Sequence, residues 1–589
     1  MTEFVFVSVG RIPLGQKILA DKLNERGIKT KIISLATLYE KIFDAKGEDA
    51  YKERKRVKAF QRGVDAYLKG VEGKIQGAQF FGMTFFDTIG AKETSFVISH
   101  AIKKHFPNST LIAGGPAFNS DPTSFLKESK ADYALRGEAE NTLPRLIEIL
   151  SKRKKGNIKN ITGIMFREKG KIYSHPSSAK LTPTEIKNSK FTYIKEGRIA
   201  FTYSERGCKN ACIFCTVPRK GNPMNIKTET IIQGLEQLTK NKEIQQVSFV
   251  DDHFFSNSKR ANEILNEIIK RKLNKRFVFD CATTIEAFIK NGKPNTALMK
   301  KAREAGIMGM EIGVEALNDN MLKEIKGKRY TKVQAIEVLK AFKKSGIQTN
   351  NYMLAGGVHT RARDFMESYY NALRLEMKGT AFFYPMAMIG ATKKTPIHRT
   401  AEKENALFTR TGRNVKPTRK GKTGFRIVVP KDEALRKLFI EKLKRGEGRQ
   451  FTSSNIPNVV KMGQESNDKV MQKYARKLQK MEGEEKAIMN LLEKLSINIR
   501  THVVAREMQK KGIKLTNPNL KKFLQNPKTR EAIETLSRKT LDSYLTQSIA
   551  LKKLTGVERL RAIQKLRKTT GIGTTYNFRL KKHARTTRR

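Results

Sequence analysis

The sequence predicts an α/β protein with two sheet domains followed by a basic helical region. Strand-like apolar runs alternate with helical stretches over the first 150 residues and again from residue 196 to residue 400. Charged helical runs then replace the strands. The chain has 589 residues, of which 38% are hydrophobic, and this is enough to bury a core in about three domains.

Residues 1–150 are expected to form a doubly wound α/β domain. The strand-like runs FVFVSVG, KTKIISL, AQFFGMTFF and STLIAGG are separated by helical stretches, as in crossover units around a parallel sheet. Such sheets bind ligands at the carboxyl ends of their strands, so Thr84, Gly114 and Gly115 are candidate binding residues. A plain turn is the alternative role for the two glycines.

Residues 151–195 are polar and lysine-rich, and we expect a linker with one short hairpin. Residues 196–400 then contain about six strand–helix units, from RIAFTYS to GTAFFYP. Six units predict a partial (β/α)6 barrel, because a closed barrel needs eight. Active-site residues are expected just after the strands of this barrel.

Residues 401–570 are expected to form a basic α-helical domain in which GFRIVVP is the one strand-like run, and residues 571–589 a disordered basic tail. The chain carries 117 Lys and Arg against 57 Asp and Glu, a formal net charge of +60. Roughly half of this excess lies beyond residue 401. Such a surface attracts polyanions, and RNA is the expected one. The alternative is a lysine-rich proteome in which every protein is basic.

Three of the four cysteines, Cys208, Cys212 and Cys215, have C-x-x-x-C-x-x-C spacing. So few cysteines, with no leader sequence and no membrane-spanning apolar run, predict a soluble cytoplasmic protein without a disulfide framework. Three thiolates can ligate three irons of a 4Fe–4S cluster and leave the fourth iron open. A structural zinc ion would need a fourth ligand, from Cys281 or a histidine.

This segment resembles the cluster motif of the radical S-adenosylmethionine (SAM) superfamily, including the aromatic Phe214 before the third cysteine. The segments FVDDHF, MEIGVEALNDNMLKEIKGK and LIAGGPAFNSDPTSFLKESKADYALRGEAENTL are similar to those of members with an N-terminal cobalamin-binding-type domain. The resemblance covers about residues 1–400. It implies a Rossmann-like domain at 1–150, followed by a radical SAM barrel.

The resemblance implies that a reduced cluster cleaves SAM to methionine and a 5′-deoxyadenosyl radical, using one electron from a donor such as ferredoxin or flavodoxin. The expected SAM-binding residues are Glu315, Asp251, Asp252 and Gly313, together with Gly356 and Gly357 in place of the family's proline–glycine pair. The alternative role for the carboxylates is to accept hydrogen bonds from backbone amides. Tyr203 and Cys281 are candidate hydrogen-atom donors, with core packing as the alternative.

Cobalamin is expected in the N-terminal domain, without a histidine on cobalt, because residues 1–150 contain no D-x-H-x-x-G motif. The expected reaction is methyl transfer to an unactivated carbon, relayed by cobalamin, with RNA as the substrate. One alternative is a cobalamin-free radical rearrangement, cyclisation or other modification of a small molecule, lipid or peptide. Another is a nucleic-acid-binding protein with a structural cluster.

Overall fold

The computed structural model describes residues 3–483 apart from short gaps. The gaps are residues 10–12, 44–49, 76, 86–90, 218, 328, 379, 394, 412–413 and 419–425. The predicted basic region beyond residue 483, with its tail at 571–589, lies outside the described residues. No helix among the described residues is both long enough and apolar enough to cross a bilayer.

The N-terminal domain contains a seven-stranded sheet in the order β2-β1-β3-β4-β5-β6-β7. Its strands are β1 Phe4–Ser8, β2 Thr30–Ser34, β3 Phe80–Thr84, β4 Thr110–Gly114, β5 Tyr133–Leu135, β6 Ile164–Glu168 and β7 Lys171–Ser174. Its helices are α1 Leu14–Asn24, α2 Ala36–Phe43, α3 Ala50–Ile75, α4 Ala91–His105, α5 Pro116–Ser120, α6 Pro122–Glu128 and α7 Thr142–Leu150.

The first five strands are parallel, and helices cover both faces of their sheet. Val5 and Val7 of β1 pack with α3 and α4 on one face, whereas Phe4 and Phe6 pack with α1 and α7 on the other. This alternation follows from the two-residue period of a strand. The predicted doubly wound fold is confirmed, and its topological switch point lies between β1 and β3.

The segment predicted as a linker, residues 151–195, is instead built into both domains. Its predicted hairpin exists as β6 and β7, and β6 pairs antiparallel with β5. The apolar side chains of Ile164, Met165 and Phe166 are buried there, which explains why the hairpin joins the sheet. Strand β8, Tyr193–Glu196, pairs antiparallel with the first barrel strand.

The second sheet runs β18-β17-β16-β13-β12-β9-β8. Its strands after β8, with the short pairs between them, are β9 Ile199–Thr202, β10 Glu205–Arg206, β11 Met224–Asn225, β12 Gln246–Phe249, β13 Val278–Thr284, β14 Ile289–Lys290, β15 Lys293–Pro294, β16 Ile307–Glu315, β17 Gln348–Met353 and β18 Phe382–Phe383. The helices are α8 Pro183–Lys187, α9 Thr228–Thr239, α10 Ser258–Lys270, α11 Thr296–Glu304, α12 Asp319–Lys326, α13 Lys332–Lys344 and α14 Ala362–Met377.

Six strands of this sheet, β9, β12, β13, β16, β17 and β18, are parallel, as the predicted partial barrel requires. Residues such as Val247, Phe279 and Ile312 face the helices and form one core with them. The helices therefore cover one face of the sheet. The other face carries Val250 and Tyr352, whose side chains are 47% and 43% exposed.

The described part of the region after residue 400 contains helices, as predicted, but also more strands than the one expected. Residues 401–483 include a three-stranded antiparallel sheet and pack on the barrel core through side chains such as Leu435 and Phe451. The remaining elements are β19 Met386–Ala387, β20 Leu407–Thr411, β21 Asn414–Pro417, β22 Arg426–Val428, β23 Gln450–Phe451, α15 Pro396–Lys403, α16 Glu433–Lys444, α17 Ile456–Gln464 and a helix at 469–483. Frequent Lys, Arg and Gly residues obscure the strand pattern in this sequence.

Gly137 joins the segment around Ala179 to the N-terminal sheet, and its replacement by Ala should destabilise the fold. Gly137 has φ +92°, and a Cβ there would meet the Ala179 carbonyl oxygen. Gly27 is a matched control, since its φ is +73° but nothing lies within 4 Å of an added Cβ. Both changes place an L-residue in the left-handed region, which costs roughly 1–2 kcal/mol of conformational free energy. Only Gly137→Ala also adds an overlap between the new Cβ and the backbone. Urea unfolding should give a clearly lower midpoint for Gly137→Ala, and equal midpoints would contradict this account.

Candidate functional site

The loop that carries the three cysteines begins at the carboxyl end of β9, where Asp251 holds it. The Asp251 carboxylate accepts hydrogen bonds from Ser204 N (2.7 Å), Ser204 Oγ (2.6 Å) and Glu205 N (2.7 Å). Asp251 is 2% exposed and follows β12, the neighbour of β9. Two adjacent strand ends are therefore joined through one carboxylate. Burial raises the pKa of Asp251, opposed by Arg260 and these hydrogen bonds.

A second layer of buried polar groups lies beneath this contact. Arg260 of α10 donates to Ser204 Oγ (2.7 Å) and to the Phe254 carbonyl (2.7 Å). The Ser256 hydroxyl donates to the carboxylate of Glu205, which is 3% exposed. Burial raises the pKa of Glu205 to about 7, and the nearby carboxylates of Asp251 and Asp252 add to this shift.

Cys208 is buried beside an imidazole. The Nδ1 atom of His253 lies 3.9 Å from Cys208 Sγ, and its Nε2 atom lies 3.2 Å from Thr284 Oγ1. Burial lowers the pKa of His253 to about 3, so the ring is neutral at physiological pH. Burial also raises the pKa of Cys208 to about 11, helped by Cys212 and Cys215. Ligation of a metal by Cys208 must then release a proton.

Cys212 lies next to a group of charged side chains. Arg329 Nη1 is 3.9 Å from Cys212 Sγ and 3.7 Å from a carboxylate oxygen of Glu286. Burial raises the pKa of Cys212, and the charges of Lys326 and Arg329 oppose that increase. These two cations therefore favour a thiolate at Cys212.

Lys326 lies between two carboxylates at the same end of the barrel. Its Nζ atom donates to the Gly313 carbonyl (2.9 Å) and lies 3.8 Å from Glu315 Oε1 and 4.0 Å from Glu286 Oε2. Lys326 is 3% exposed. Burial favours a neutral Glu286, but Lys326 and the local hydrogen bonds outweigh it, so the pKa of Glu286 is lowered. Burial raises the pKa of Glu315 in spite of Lys326.

Glu315 ends β16 in a strained conformation. Its φ is +63°, in the left-handed region, and the pairing of β16 with β17 shifts register between Gly313 and Glu315. Gly313 makes room for the side chain, since a Cβ there would lie 2.6 Å from Glu315 Oε1. Strain of roughly 1–3 kcal/mol at a buried carboxylate is a common feature of binding sites.

The other residues expected to bind SAM occupy different places around this end of the barrel. Asp252 influences the pKa values of Cys208 and Cys215 through its charge, and the Gly207 amide donates to its carboxylate. Phe214 is partly buried and packs on the barrel core. Gly356 and Gly357 are buried in a turn after β17, where the Gly357 amide donates to Thr360 Oγ1 (2.9 Å).

The two candidate hydrogen-atom donors belong to the core. Cys281 is 2% exposed and lies in the middle of β13, on the face that packs against the helices. Tyr203 is 6% exposed, and its hydroxyl oxygen accepts a hydrogen bond from Arg206 (3.1 Å). Both residues therefore pack in the core, which was the alternative expected for them.

An arginine on each side of the cysteine loop binds the N-terminal domain. Arg206 pairs with Glu140, and Arg219 makes a two-pronged contact with Glu138, with Arg219 Nε 2.9 Å from Glu138 Oε1. Glu138 also accepts from the Leu181 amide (2.8 Å). Burial favours a neutral Glu138, but these hydrogen bonds and charges outweigh it and lower its pKa. The two domains therefore meet at the cysteine loop.

The N-terminal crevice contains a carboxamide oxygen without a hydrogen-bond partner in the described part of the chain. Gln16, at the start of α1, is 2% exposed and donates to the Val7 carbonyl (3.2 Å) and to Thr84 Oγ1 (3.3 Å). Its Oε1 atom has no hydrogen-bond partner among the described residues. Gly114 borders this crevice and has only ordinary contacts, whereas Gly115, with φ +97°, makes room for Thr84 and Phe85. A plain turn therefore explains Gly115.

Sequence reasoning missed four residues of this site: His253, Glu286, Lys326 and Arg329. His253 stands within the FVDDHF segment, so its position was a usable signal. Lys326 and Arg329 stand among many exposed lysines and arginines, and only folding shows that Lys326 is buried. Glu286 comes into contact through a short 3-10 helix, Ile285–Phe288, which strand periodicity does not predict.

The chemistry of the three thiols fits an iron–sulfur cluster. Sulfur ligands favour Fe–S clusters or zinc over hard cations. Among the described residues, no three His, Cys, Asp or Glu side chains converge as the ligands of a single metal ion do. In a 4Fe–4S cluster each cysteine ligates a different iron, so the three sulfur atoms lie around the cluster and do not converge on one point. Cys208, Cys212 and Cys215 lie on one loop, close enough for their charges to shift one another's pKa values.

The family model of the radical SAM superfamily matches residues 203–368, from the start of the cysteine loop to α14. This segment therefore matches the radical SAM domain. It contains the three cysteines and the charged group around Lys326, so the match covers the site described above. The family binds a 4Fe–4S cluster and SAM, and the expected family is confirmed.

Similar proteins extend the comparison beyond the radical SAM domain. An uncharacterised methyltransferase from Pyrococcus horikoshii is 25% identical over 280 residues, which are 46% of this chain and 59% of that protein. This chain thus matches less than two thirds of that relative's length.

Two solved structures share the fold. The radical SAM methyltransferase TsrM from Kitasatospora setae, solved with tryptophan substrate and a SAM analogue, aligns with a TM-score of 0.59 at 12% identity. The alignment covers 82% of this chain and 99% of TsrM. The cobalamin-dependent radical SAM enzyme OxsB, solved with aqua-cobalamin, aligns with a TM-score of 0.58 at 15% identity. That alignment covers 96% of this chain and 84% of OxsB.

The raised pKa of Glu205 predicts a pH-dependent stability that Glu205→Gln should remove. With a pKa of about 7 in the folded protein and 4.5 as the ordinary value, the folded state binds the proton more tightly. Its contribution to stability is full below pH 4.5 and is lost as the pH rises through 7, by up to about 3 kcal/mol.

Urea unfolding at pH 5.5 and pH 8 should therefore show a larger loss of stability in the wild type than in Glu205→Gln. Glu263→Gln, at an exposed position of α10, is the control and should behave like the wild type. Identical pH dependence in all three proteins would show that Glu205 ionises normally in the folded chain.

Proposed function

We propose that this protein reductively cleaves SAM at a 4Fe–4S cluster held by Cys208, Cys212 and Cys215. The observation that carries this proposal is the set of three buried or half-buried thiols on one loop at the carboxyl end of the barrel, beside Lys326 and Arg329. When bound and reduced, the cluster supplies the electron that breaks a carbon–sulfur bond of SAM. The other residues of the site bind SAM, orient it and exclude water.

The carboxylates near Lys326 have the positions and charges to bind the amino-acid end of SAM. Glu286 Oε2 is buried and has no hydrogen-bond partner among the described residues. An ammonium group bound beside Glu286 would satisfy this oxygen. Arg329, next to Cys212, is placed to attract the SAM carboxylate. Asp252 and Gly313 stay predicted SAM neighbours, whereas the hydrogen bonds of Asp251 favour a role in positioning the loop.

The proposed reaction is methyl transfer to an unactivated carbon, with cobalamin in the crevice of the N-terminal domain. Bound there, cobalamin would supply the methyl group. The similarity in fold to TsrM and OxsB and the unpaired Gln16 Oε1 at the switch point support this proposal. Thr84 and Gly114 border the same crevice. Residues 10–12 and 86–90 lie outside the described residues, so we assign them no contact.

A cobalamin-free radical modification is the second candidate function, and it uses the same cluster and SAM-binding residues. Both reactions need a one-electron donor such as ferredoxin or flavodoxin. The cytoplasmic location stays a prediction. RNA as the substrate also stays a prediction, because the most basic part of the chain extends beyond residue 483.

Cys212→Ala should abolish cluster assembly and SAM cleavage, because one iron loses its only protein ligand. The measurements are iron content after anaerobic reconstitution and release of 5′-deoxyadenosine after reduction, with about four irons expected per wild-type chain. Cys281→Ala is the matched control and should retain both properties, since Cys281 packs in the core. Stoichiometric zinc without SAM cleavage in the wild type would overturn the proposal.

Cobalamin binding can be measured separately from SAM cleavage. The full-length protein should take up one equivalent of hydroxocobalamin and give a spectrum without a protein imidazole on cobalt. Gly114→Leu should weaken this uptake about tenfold or more, since it places a bulky side chain at the crevice. Gly73→Leu adds the same side chain on the exposed surface of α3 and should bind normally. Equal uptake by both variants would place cobalamin elsewhere, and absence of uptake by the wild type would favour the cobalamin-free reaction.

A further inference from the structure

The face of the barrel sheet that the helices leave uncovered carries apolar, aromatic and acidic side chains. Strand register places Ser248 opposite Asp280, Ala282 opposite Glu311, and Gly313 opposite Tyr352. We call Val250, Asp280, Glu311, Tyr352 and Tyr384 the lumen surface. Two of the six exposed large apolar side chains among the described residues, Val250 and Tyr352, belong to the lumen surface. Exposed apolar side chains on one uncovered face favour a binding surface.

The two carboxylates of the lumen surface accept hydrogen bonds only from neutral groups. Ser248 Oγ and Gln246 Nε2 donate to Asp280, and Tyr352 Oη donates to Glu311 (2.6 Å). Among the described residues, no Lys, Arg or His nitrogen lies within 4 Å of either carboxylate. Burial raises the pKa of Asp280, opposed by the hydrogen bonds from Ser248 and Gln246, and the charge of the nearby Glu311 adds to the increase. A cation bound there would favour the ionised carboxylate. In a chain with 117 basic and 57 acidic residues, two adjacent carboxylates without a cation are an unusual arrangement.

Two stacked tyrosine rings lie beside these carboxylates. The rings of Tyr352 and Tyr384 stack with centroids 4.7 Å apart and planes at 22°. Tyr384 Oη lies 3.5 Å from Glu311, so both hydroxyls point to the same carboxylate. Tyr352 is 43% exposed, on the face of the sheet that the helices leave uncovered. Aromatic faces next to unpaired carboxylates are the chemistry that binds organic cations.

The lumen surface lies directly below the proposed SAM site. Gly313 separates the two, because it pairs with Tyr352 and also contacts the side chain of Glu315. Glu311 pairs with Asn350, and Glu315 pairs with Met353, three residues further along β17. At about 3.3 Å per residue, Glu311 therefore lies about 10 Å from Glu315 along the sheet. This distance leaves room for the reacting carbon of a substrate between its charged group and the cluster end of the barrel.

We propose that the lumen surface binds the substrate through an organic cation, a guanidinium or ammonium group, held between Asp280 and Glu311 against the ring of Tyr352. The inference rests on the proposed function, because it assigns the substrate of the same barrel. Val250 then packs against the aliphatic part of the substrate. The cation has two plausible sources, a free amine and an arginine or lysine side chain of a peptide. A phosphate backbone would instead face two uncompensated carboxylates.

The experiment measures binding to the full-length reconstituted protein with SAM under anaerobic conditions. The probes are agmatine, an N-acetylated Gly-Arg-Gly amide and a short RNA oligonucleotide, each followed by calorimetry at physiological salt. Glu311→Gln and, independently, Asp280→Asn should weaken binding of the preferred cationic probe about tenfold or more. Glu304→Gln, an exposed position on the outer helix α11, is the matched control and should bind like the wild type.

Iron content and uncoupled SAM cleavage, measured in the same samples, separate this inference from the proposed function. Retained cleavage with weakened cation binding in both variants supports the inference, and tighter binding of agmatine or of the peptide identifies the source. If the wild type assembles no cluster but binds the cation through Glu311 and Asp280, the proposed function fails and the cation site stands. Binding of RNA alone, or cation binding that neither variant alters, overturns the inference.

Discussion

The carboxylate of Asp251 is the constraint on which the geometry of the site depends. It fixes the start of the cysteine loop by accepting from Ser204 and Glu205, so the loop leaves β9 in a direction set by β12. Removing one partner of such a buried network leaves several polar groups without compensation. Arg260 makes the network possible, because its guanidinium offsets the buried carboxylate. The positions of the thiols therefore depend on the sheet as well as on the loop itself.

The same loop receives a second constraint from the other domain. Glu138 and Glu140 belong to a segment that follows the last parallel strand of the N-terminal sheet, and they hold Arg219 and Arg206 at the two ends of the cysteine segment. Arg219 is itself in a left-handed conformation, φ +57°, which the carboxylate contact helps to maintain. A ligand bound in the N-terminal domain would thus lie on a body joined directly to the cluster loop. This connection is what a reaction involving both domains requires.

Local sequence patterns predicted the parts of the site that depend only on residues close together in the sequence. The spacing of Cys208, Cys212 and Cys215 identified the loop, and strand–helix alternation predicted both sheet domains. Alternation could not show which side of a strand end a carboxylate would face. Asp251 was expected to bind SAM, whereas its hydrogen bonds go to backbone amides and a serine, which was the alternative given for it. The strands at 407–411 and 414–417 were missed because Lys, Arg and Gly residues interrupt their apolar alternation.

The basic composition of the chain and the acidic lumen surface are compatible because electrostatic fields in salt are short-ranged. At physiological ionic strength the Debye length is about 8 Å, so basic residues on the outer surface act weakly on a cation inside the barrel. At the contact distance, Asp280 and Glu311 dominate, whereas about 10 Å away at the cluster end Lys326 and Arg329 lie beside the carboxylates of Glu286 and Glu315. The barrel therefore differs along its axis, with carboxylates paired to cations beside Cys212 and, among the described residues, carboxylates without a cation deeper inside. A substrate with a cationic group and an uncharged reacting carbon would align with that polarity in one orientation, with its carbon toward the cluster.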